Sequence, residues 1–157
     1  MKKTEVRRGP RLGREGVLRP GTSAIIFNAE RNKVLLTRRT DNGLWCLPGG
    51  AIDPGESVAE ACVREVLEET HLEAEVVRLV GVYSDPDQLV VYPDGNKAHI
   101  LALSFEVRVT GGELGLSSET TEAGYFDLAA VDSMEILGNH ARRIRDALED
   151  RSEAFIR

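Results

Sequence analysis

The period of the hydrophobic pattern changes several times along the chain, and each change marks an element. Residues 23–27 (SAIIF) and 33–38 (KVLLTR) are short apolar runs rich in β-branched side chains, so they predict strands. The polar stretch NAERN at 28–32 predicts the turn of a hairpin between them. A turn at Asp41-Asn42-Gly43 precedes a short apolar piece at 44–47, and residues 48–55, with two prolines and three glycines, predict a loop. Ser57 then opens a helix, since it is a capping residue type and Glu60 stands where a capping box needs it. At about 100° per residue, Ala59, Cys62, Val63, Val66, Leu67 and Thr70 fall on one arc, while Glu60, Arg64, Glu65, Glu68 and Glu69 fall on the other. This predicts a helix to about Thr70 that lies on a core with its acidic face outward.

The second half alternates in the manner of half-buried strands. Residues 75–83 and 99–109 predict long strands, joined by a loop over 84–97 with turn signals at Asp85-Pro86 and Pro93-Asp94-Gly95. A polar loop at 116–122 leads to a short strand at 124–127. Residues 139–149 predict a second amphipathic helix, with Ala141, Ile144 and Leu148 inward and Arg142, Arg143 and Arg145 exposed. Strands interleaved with two helices predict an α/β protein with helices against a mixed sheet.

Length and charge narrow the classes. The 157 residues suit one domain. No apolar run approaches the roughly 20 residues of a membrane span, and the basic N-terminus lacks the apolar segment of a secretory signal. Cys46 and Cys62 form neither a disulfide framework nor a metal-ligand spacing, which predicts a reducing cytoplasm. The net charge of −6 divides unevenly, with +5 on residues 1–20 and −11 on the remainder. An acidic body argues against nucleic acid as a partner. The boundary is expected at Pro20-Gly21, giving a basic arm over 1–20, solvated or strand-exchanged, and a domain over 21–157.

A glutamate-rich helix face is ordinarily a solvated one. Three features point instead to a cation. Glu65 and Glu69 are four residues apart with Glu68 beside them, where helices usually place an opposite charge. All three sit near the helix C-terminus, against the macrodipole. Glu56 waits just before the helix behind a glycine-rich turn. Four carboxylates from one loop–helix unit make an oxygen cage of the kind Mg2+ or Mn2+ takes, and Arg64 has the reach to tie loop to helix.

The stretch from Gly50 to Leu72 resembles the signature of the Nudix hydrolases, G-x5-E-x7-R-E-U-x-E-E-x-G-U with U apolar. Gly50, Glu56, Arg64, Glu65, Val66, Glu68, Glu69 and Leu72 meet it, and only the penultimate position departs, with His71 in place of glycine. That glycine follows the helix, so the departure concerns a left-handed cap rather than a ligand. The resemblance implies an α/β/α sandwich with a mixed central sheet and the motif loop–helix on one face. It also implies metal-dependent hydrolysis of the pyrophosphate bond in a nucleoside diphosphate linked to X.

Under that resemblance Glu65 and Glu69 are the principal metal ligands, with Glu68 a further ligand or a group that positions water. Glu56 is counted among the metal donors, although it and Arg64 suit a supporting role. Gly49 and Gly50 keep backbone near the phosphates. A base or extra ligand from a later loop falls to Glu119, with Glu122 second. One of Arg38 and Arg39 holds a phosphate, since neighbours on a strand face opposite ways. Tyr83, Tyr92 and Phe27 are candidates to stack on a base or sugar, and the 84–97 loop is the candidate pocket wall. Pro86 stands near where ADP-ribose-type members carry a proline, so ADP-ribose or a nucleotide sugar is the favoured substrate. A nucleoside triphosphate pyrophosphohydrolase and a non-catalytic nucleotide-sensing module are the alternatives. Dimerisation through the arm is a further expectation.

Overall fold

The protein is described by a computed structural model covering residues 2–157. The strands are β1 (Glu5–Arg8), β2 (Val17–Ile25), β3 (Lys33–Arg39), β4 (Trp45–Cys46), β5 (Gly49–Ala51), β6 (Leu72–Tyr83), β7 (Gln88–Val91), β8 (Lys97–Gly112), β9 (Thr120–Asp127) and β10 (Phe155–Ile156). Helix α1 (Val58–Thr70) lies between β5 and β6, and α2 (His140–Leu148) between β9 and β10.

Alternation at the end of β2 sets the layers. Ala24 and Ile26 pack with Cys62 and Val66 of α1, together with Leu35, Phe105 and Val107. Ile25, between them, packs with Ile144 and Ala147 of α2, together with Val34, Leu36 and Val80. Successive strand residues point to opposite faces, so one strand feeds two apolar cores. Burying each such aliphatic side chain contributes about 1.5–3 kcal/mol. The result is an α/β/α sandwich with a mixed sheet.

The larger sheet runs β1-β7-β8-β2-β5, with β6 also on β8 and β10 on β6. β2 and β8 are parallel from Val17↔Ala98 to Ile25↔Glu106, while β6 and β8 are antiparallel. The smaller sheet is β4-β3-β9.

Several local expectations change. The 28–32 turn forms, with Asn28 Oδ1 accepting from the backbone N–H groups of Asn32 and Lys33. Its flanking strands, however, do not build a hairpin ladder. They separate into two sheets beyond the Phe27↔Val34 bridge, and each pairs over a longer ladder elsewhere, β2 with β8 and β3 with β9. Part of the expected 48–55 loop is β5, which pairs Thr22 with Gly50 and Ser23 with Gly49. Part of the expected 84–97 loop is β7, and it pairs with β1 of the N-terminal segment. Pro20-Gly21 falls inside β2 rather than between two units.

Helix α1 begins as its sequence requires. Ser57 Oγ accepts from the Glu60 N–H at 3.2 Å, and Glu60 returns a carboxylate to the Ser57 N–H at 2.7 Å. It ends at His71, whose φ of 62° is left-handed. The helix is rotated from the expected arc: Ala61 is buried, and Leu67 faces solvent. That rotation turns Glu65 and Glu69 partly inward. α2 differs in the same way, with Leu148 exposed and Arg143 only 5% exposed.

Candidate active site

Arg64 ties the loop to the helix. Its guanidinium donates to Ala51 O at 3.1 Å, to both oxygens of Glu56, to Glu65 Oε1 at 3.0 Å and to Glu68 Oε2 at 3.2 Å. Glu56 Oε2 also accepts from the Asp53 N–H at 2.9 Å. Arg64, and after it the Asp53 N–H, hold the Glu56 carboxyl below the usual carboxylate range. With both oxygens engaged, Glu56 braces the loop, and the structure does not direct it to a metal.

Glu65 and Glu69 are treated differently. Glu69 Oε2 accepts the Gly49 N–H at 3.3 Å. Burial, reinforced by the nearby Glu65 and Glu119 carboxylates, pushes the Glu69 carboxyl up to about 8, against opposing effects of the Gly49 N–H and Arg39. Burial likewise raises Glu65, even with Arg64 beside it. The loop makes room for these groups. A Cβ on Gly49 would lie 2.8 Å from Ser23 Cα, and one on Gly50 would lie 2.6 Å from the Glu65 carboxyl carbon.

Among the described residues no three His, Cys, Asp or Glu side chains converge closely enough to hold an ion unaided. The donors are nonetheless of the right kind. Mg2+ and Mn2+ take hard oxygens, and Mg2+ keeps several waters or phosphate oxygens beside one or two carboxylates. Two desolvated carboxylates next to a glycine cradle fit such an ion.

Glu69 and the Gly49–Gly50 backbone open into a cavity of about 450 Å3 that also takes in Glu119, Arg39 and Asp41. Glu119 is exposed on its loop, where its carbonyl accepts from the Thr40 N–H at 3.1 Å. Arg39 forms a bidentate pair with Asp41, both contacts at 2.8 Å. Thr4 of the N-terminal segment donates to the same Asp41 carboxylate, so that segment helps to fix Arg39. Arg38 faces away, donating to Gly43 O at 2.9 Å and Glu122 at 2.7 Å. Glu122 is thereby occupied outside the cavity.

The aromatic candidates separate. Tyr83 is 1% exposed, and its hydroxyl donates to Asp146 at 2.8 Å, so it is a core residue and presents no ring to a ligand. Phe27 lies under the Arg31 guanidinium, 4.6 Å away. Tyr92 does line the cavity, with Arg19 stacked 5.3 Å from its ring. Pro86 serves the fold by accepting the Gly13 N–H at 2.9 Å.

Sequence reasoning missed the cavity's other polar residues, chiefly Gln88, Asn139, His140 and Arg143. His140 Nδ1 accepts the Leu47 N–H at 3.0 Å, and burial keeps its imidazole neutral. One usable signal existed: Asn139 and Arg143 are four apart on one helix, hence on one face. Nothing in the sequence marked Gln88.

Comparison with known proteins places the chain in a family. The NUDIX domain family model matches residues 17–148. An ADP-ribose pyrophosphatase of Methanocaldococcus jannaschii is 39% identical over 132 residues, 82% of this chain and 73% of that protein. A putative 8-oxo-dGTP diphosphatase of Bacillus subtilis is 50% identical over 66 residues, which are 42% of this chain and 44% of that one. Among solved structures, an ADP-ribose pyrophosphatase from Streptococcus suis superposes with a TM-score of 0.66 at 27% identity, covering 88% of this chain and 98% of the other. The family model spans most of the chain, and the archaeal relative is 39% identical over 82% of it, so this chain belongs to the Nudix hydrolases.

Proposed function

We propose that the protein hydrolyses the pyrophosphate bond of a nucleoside diphosphate linked to X, with ADP-ribose or a nucleotide sugar as substrate and Mg2+ or Mn2+ as cofactor. The observation that carries this reading is the meeting of Glu69, Glu119, Arg39 and the Gly49–Gly50 backbone in one cavity.

Glu65 and Glu69 would hold the metal, and Glu68, with its side chain 58% exposed, would be a further ligand or orient water. When bound there, a divalent ion would supply charge neutralisation for the phosphates and acidity for the attacking water. Arg64 and Glu56 keep the loop and the glutamates in register. Arg39, fixed by Asp41, holds a phosphoryl oxygen, since a guanidinium matches phosphate geometry. Glu119 takes the proton as the water oxygen bonds to phosphorus and the bridging P–O bond breaks. ADP-ribose would give AMP and a sugar phosphate.

The identity to an ADP-ribose pyrophosphatase over most of the chain supports the substrate class. Two free, buried cysteines are consistent with a reducing cytoplasm. No helix among the described residues is long and apolar enough to cross a membrane.

The similarity to a putative 8-oxo-dGTP diphosphatase favours a second reading, removal of damaged nucleoside triphosphates. Phosphatase-coupled phosphate release with and without EDTA detects turnover on a panel of ADP-ribose, nucleotide sugars, dinucleoside polyphosphates, and normal and oxidised triphosphates, and product analysis separates the two readings. AMP plus a sugar phosphate supports the first reading, and a nucleoside monophosphate plus pyrophosphate supports the second. Metal binding without turnover of any nucleotide would leave a sensing module.

A further inference from the structure

Among the described residues, four buried side-chain polar atoms lack a hydrogen-bond partner: Thr22 Oγ1, Gln88 Oε1, Asn139 Oδ1 and Arg143 Nε. All four belong to residues that line the cavity of the glutamates. Buried polar groups are paired in the great majority of cases; Thr22 Oγ1 lies beside the Cys62 thiol, and the other three call for an explanation.

Three of them are neighbours. The Arg143 N–H donates to Asn139 O at 3.2 Å one turn back on α2. A Cβ on Gly138 would lie 3.4 Å from Gln88 Nε2, which sets Gln88 against the Gly138–Asn139 corner. Arg143 is 5% exposed. Its Nη1 donates to Ser23 Oγ at 3.2 Å, and its guanidinium lies 5.1 Å from the Tyr83 ring. No carboxylate pairs with it among the described residues. The nearest acid on its own helix, Asp146, is already taken by Tyr83 and by Arg157 at 3.0 and 3.1 Å. Burial draws the Arg143 guanidinium down to about 10, still charged at neutral pH.

We infer that Arg143, flanked by Asn139 and Gln88, forms a recognition site for an oxyanion of the substrate within this cavity, and that Arg143 is a specificity-determining residue.

The two amides can present either oxygen or N–H2 by rotation, so they do not fix the sign of the ligand's charge. The arginine does. A buried charge with no partner is strongly unfavourable unless something in the working state compensates it. A purely structural strut between Ser23 and Tyr83 would need neither the free Nε–H nor the two unpaired amides beside it. The oxyanion has two sources, a phosphoryl group of the diphosphate or a carboxylate or phosphate on X. Its placement in a substrate rests on the proposed function; its existence as a binding site does not.

The test uses the full chain in EDTA, with inorganic pyrophosphate as probe, at constant ionic strength. The wild type should gain thermal stability with pyrophosphate. Arg143→Met should bind it at least about tenfold more weakly, the scale of one hydrogen bond to a charged group. Its own melting temperature should be unchanged or higher, because an uncompensated buried charge has been removed. Asn139→Ala and Gln88→Ala, at partly exposed positions, should each weaken binding severalfold and keep the test open if Arg143→Met fails to fold. Equal pyrophosphate affinity in all variants overturns the site. A lowered melting temperature with unaltered binding also overturns it, and makes Arg143 a strut.

A kinetic arm locates the oxyanion with a nucleoside diphosphate hexose and its uronate. A tenfold or greater fall in kcat/KM for both when Arg143 is replaced assigns it to the diphosphate, and a fall confined to the uronate assigns it to X. No fall with either refutes the role in specificity. A wild type that binds pyrophosphate through Arg143 yet hydrolyses nothing would sink the proposed function and leave this site standing.

Discussion

The α-carbon of Gly50 faces the Glu65 carboxylate so closely that a Cβ added to it would stand 2.6 Å from the carboxyl carbon. A methyl group there cannot be accommodated unless the Glu65 carboxylate moves, and Arg64 holds that carboxylate through Oε1, the oxygen nearest the added Cβ. Gly50→Ala should therefore lower kcat/KM by about 10- to 100-fold, the scale of an ångström misplacement in an active site. The carboxylate is the far end of a flexible side chain and gives way without moving backbone, so melting should change little. Gly55→Ala is the comparison, because a Cβ there meets nothing within 4 Å and only its φ of +95° is at issue. It should cost stability and spare the rate. Steady-state kinetics and thermal melting on both variants would decide, and an unchanged rate in Gly50→Ala would remove Glu65 from the chemistry.

Glu69 links activity, metal and pH. Its carboxyl titrates near 8 in the folded protein without metal, above the ordinary carboxylate range of the unfolded chain. The folded state thus binds more protons than the unfolded one between those limits, and stability must fall as pH rises through that window. The metal-free protein should melt progressively lower from about pH 5 to about pH 8. Saturating Mg2+ or Mn2+ should reverse the trend, because the ion needs the ionised form and gains affinity as pH rises. Glu69→Gln keeps the shape and drops the charge. It should flatten the metal-free pH profile and reduce turnover at least about a hundredfold, as for loss of one transition-state stabiliser. A variant with more than half the wild-type rate would show that the metal lies elsewhere.

The capping box, the end of α1 at a left-handed His71 and the glycine cradle were legible from local sequence, because each depends on residues a few positions apart. The rotation of α1 was not. Apolarity alone placed Leu67 inward, whereas Ala61, Cys62 and Val66 are the buried positions, and that choice turns Glu65 and Glu69 partly inward, with Glu69 lining the cavity. The splaying of β2 from β3 was equally hidden, since the partner of β2 is β8, far along the chain. Arg143 shows the limit most plainly. In the sequence it is one of three arginines on an amphipathic helix, and only the packing of α2 on β2 reveals which one is buried beside Ser23 and Tyr83.

Arg64 reaches five groups on three segments, and its planar fork is what allows it to do so. A lysine retains the charge but concentrates it at one point. Arg64→Lys should lose the bridge between Ala51 O and Glu56, leaving loop carboxylates short of partners. We expect a loss of about 1–3 kcal/mol in unfolding free energy, read as a lower urea midpoint with an unchanged slope. Activity should fall by more than the stability loss explains, because Glu65 loses its lateral support. A variant equal to wild type in both would mean that the ion pairs around Arg64 act as exposed ones do, with little effect.

His71 occupies the C-cap of α1 with φ 62° and donates its backbone N–H to Leu67 O at 2.9 Å. A non-glycine residue in this conformation is strained by about 1 kcal/mol or somewhat more. Glycine is at ease there, although it also gains freedom in the unfolded chain, which offsets part of the benefit. The imidazole is not idle: a Cβ on Gly115 would lie 3.0 Å from its Cγ and Cε1, so the 113–118 loop packs against the ring. The hydrogen bond from the Gly115 N–H to Thr70 O, at 2.8 Å, holds the same loop without the ring. His71→Gly should therefore stabilise the protein by about 0.5–1 kcal/mol, a rise of a few degrees in Tm for a chain of this size. The loop carrying Glu119 follows directly, so kcat should fall modestly, by about two- to fivefold. If the variant is instead less stable, the ring contact with Gly115 outweighs the backbone strain, and His71 is a fitted element of this chain's loop rather than a tolerated departure from glycine.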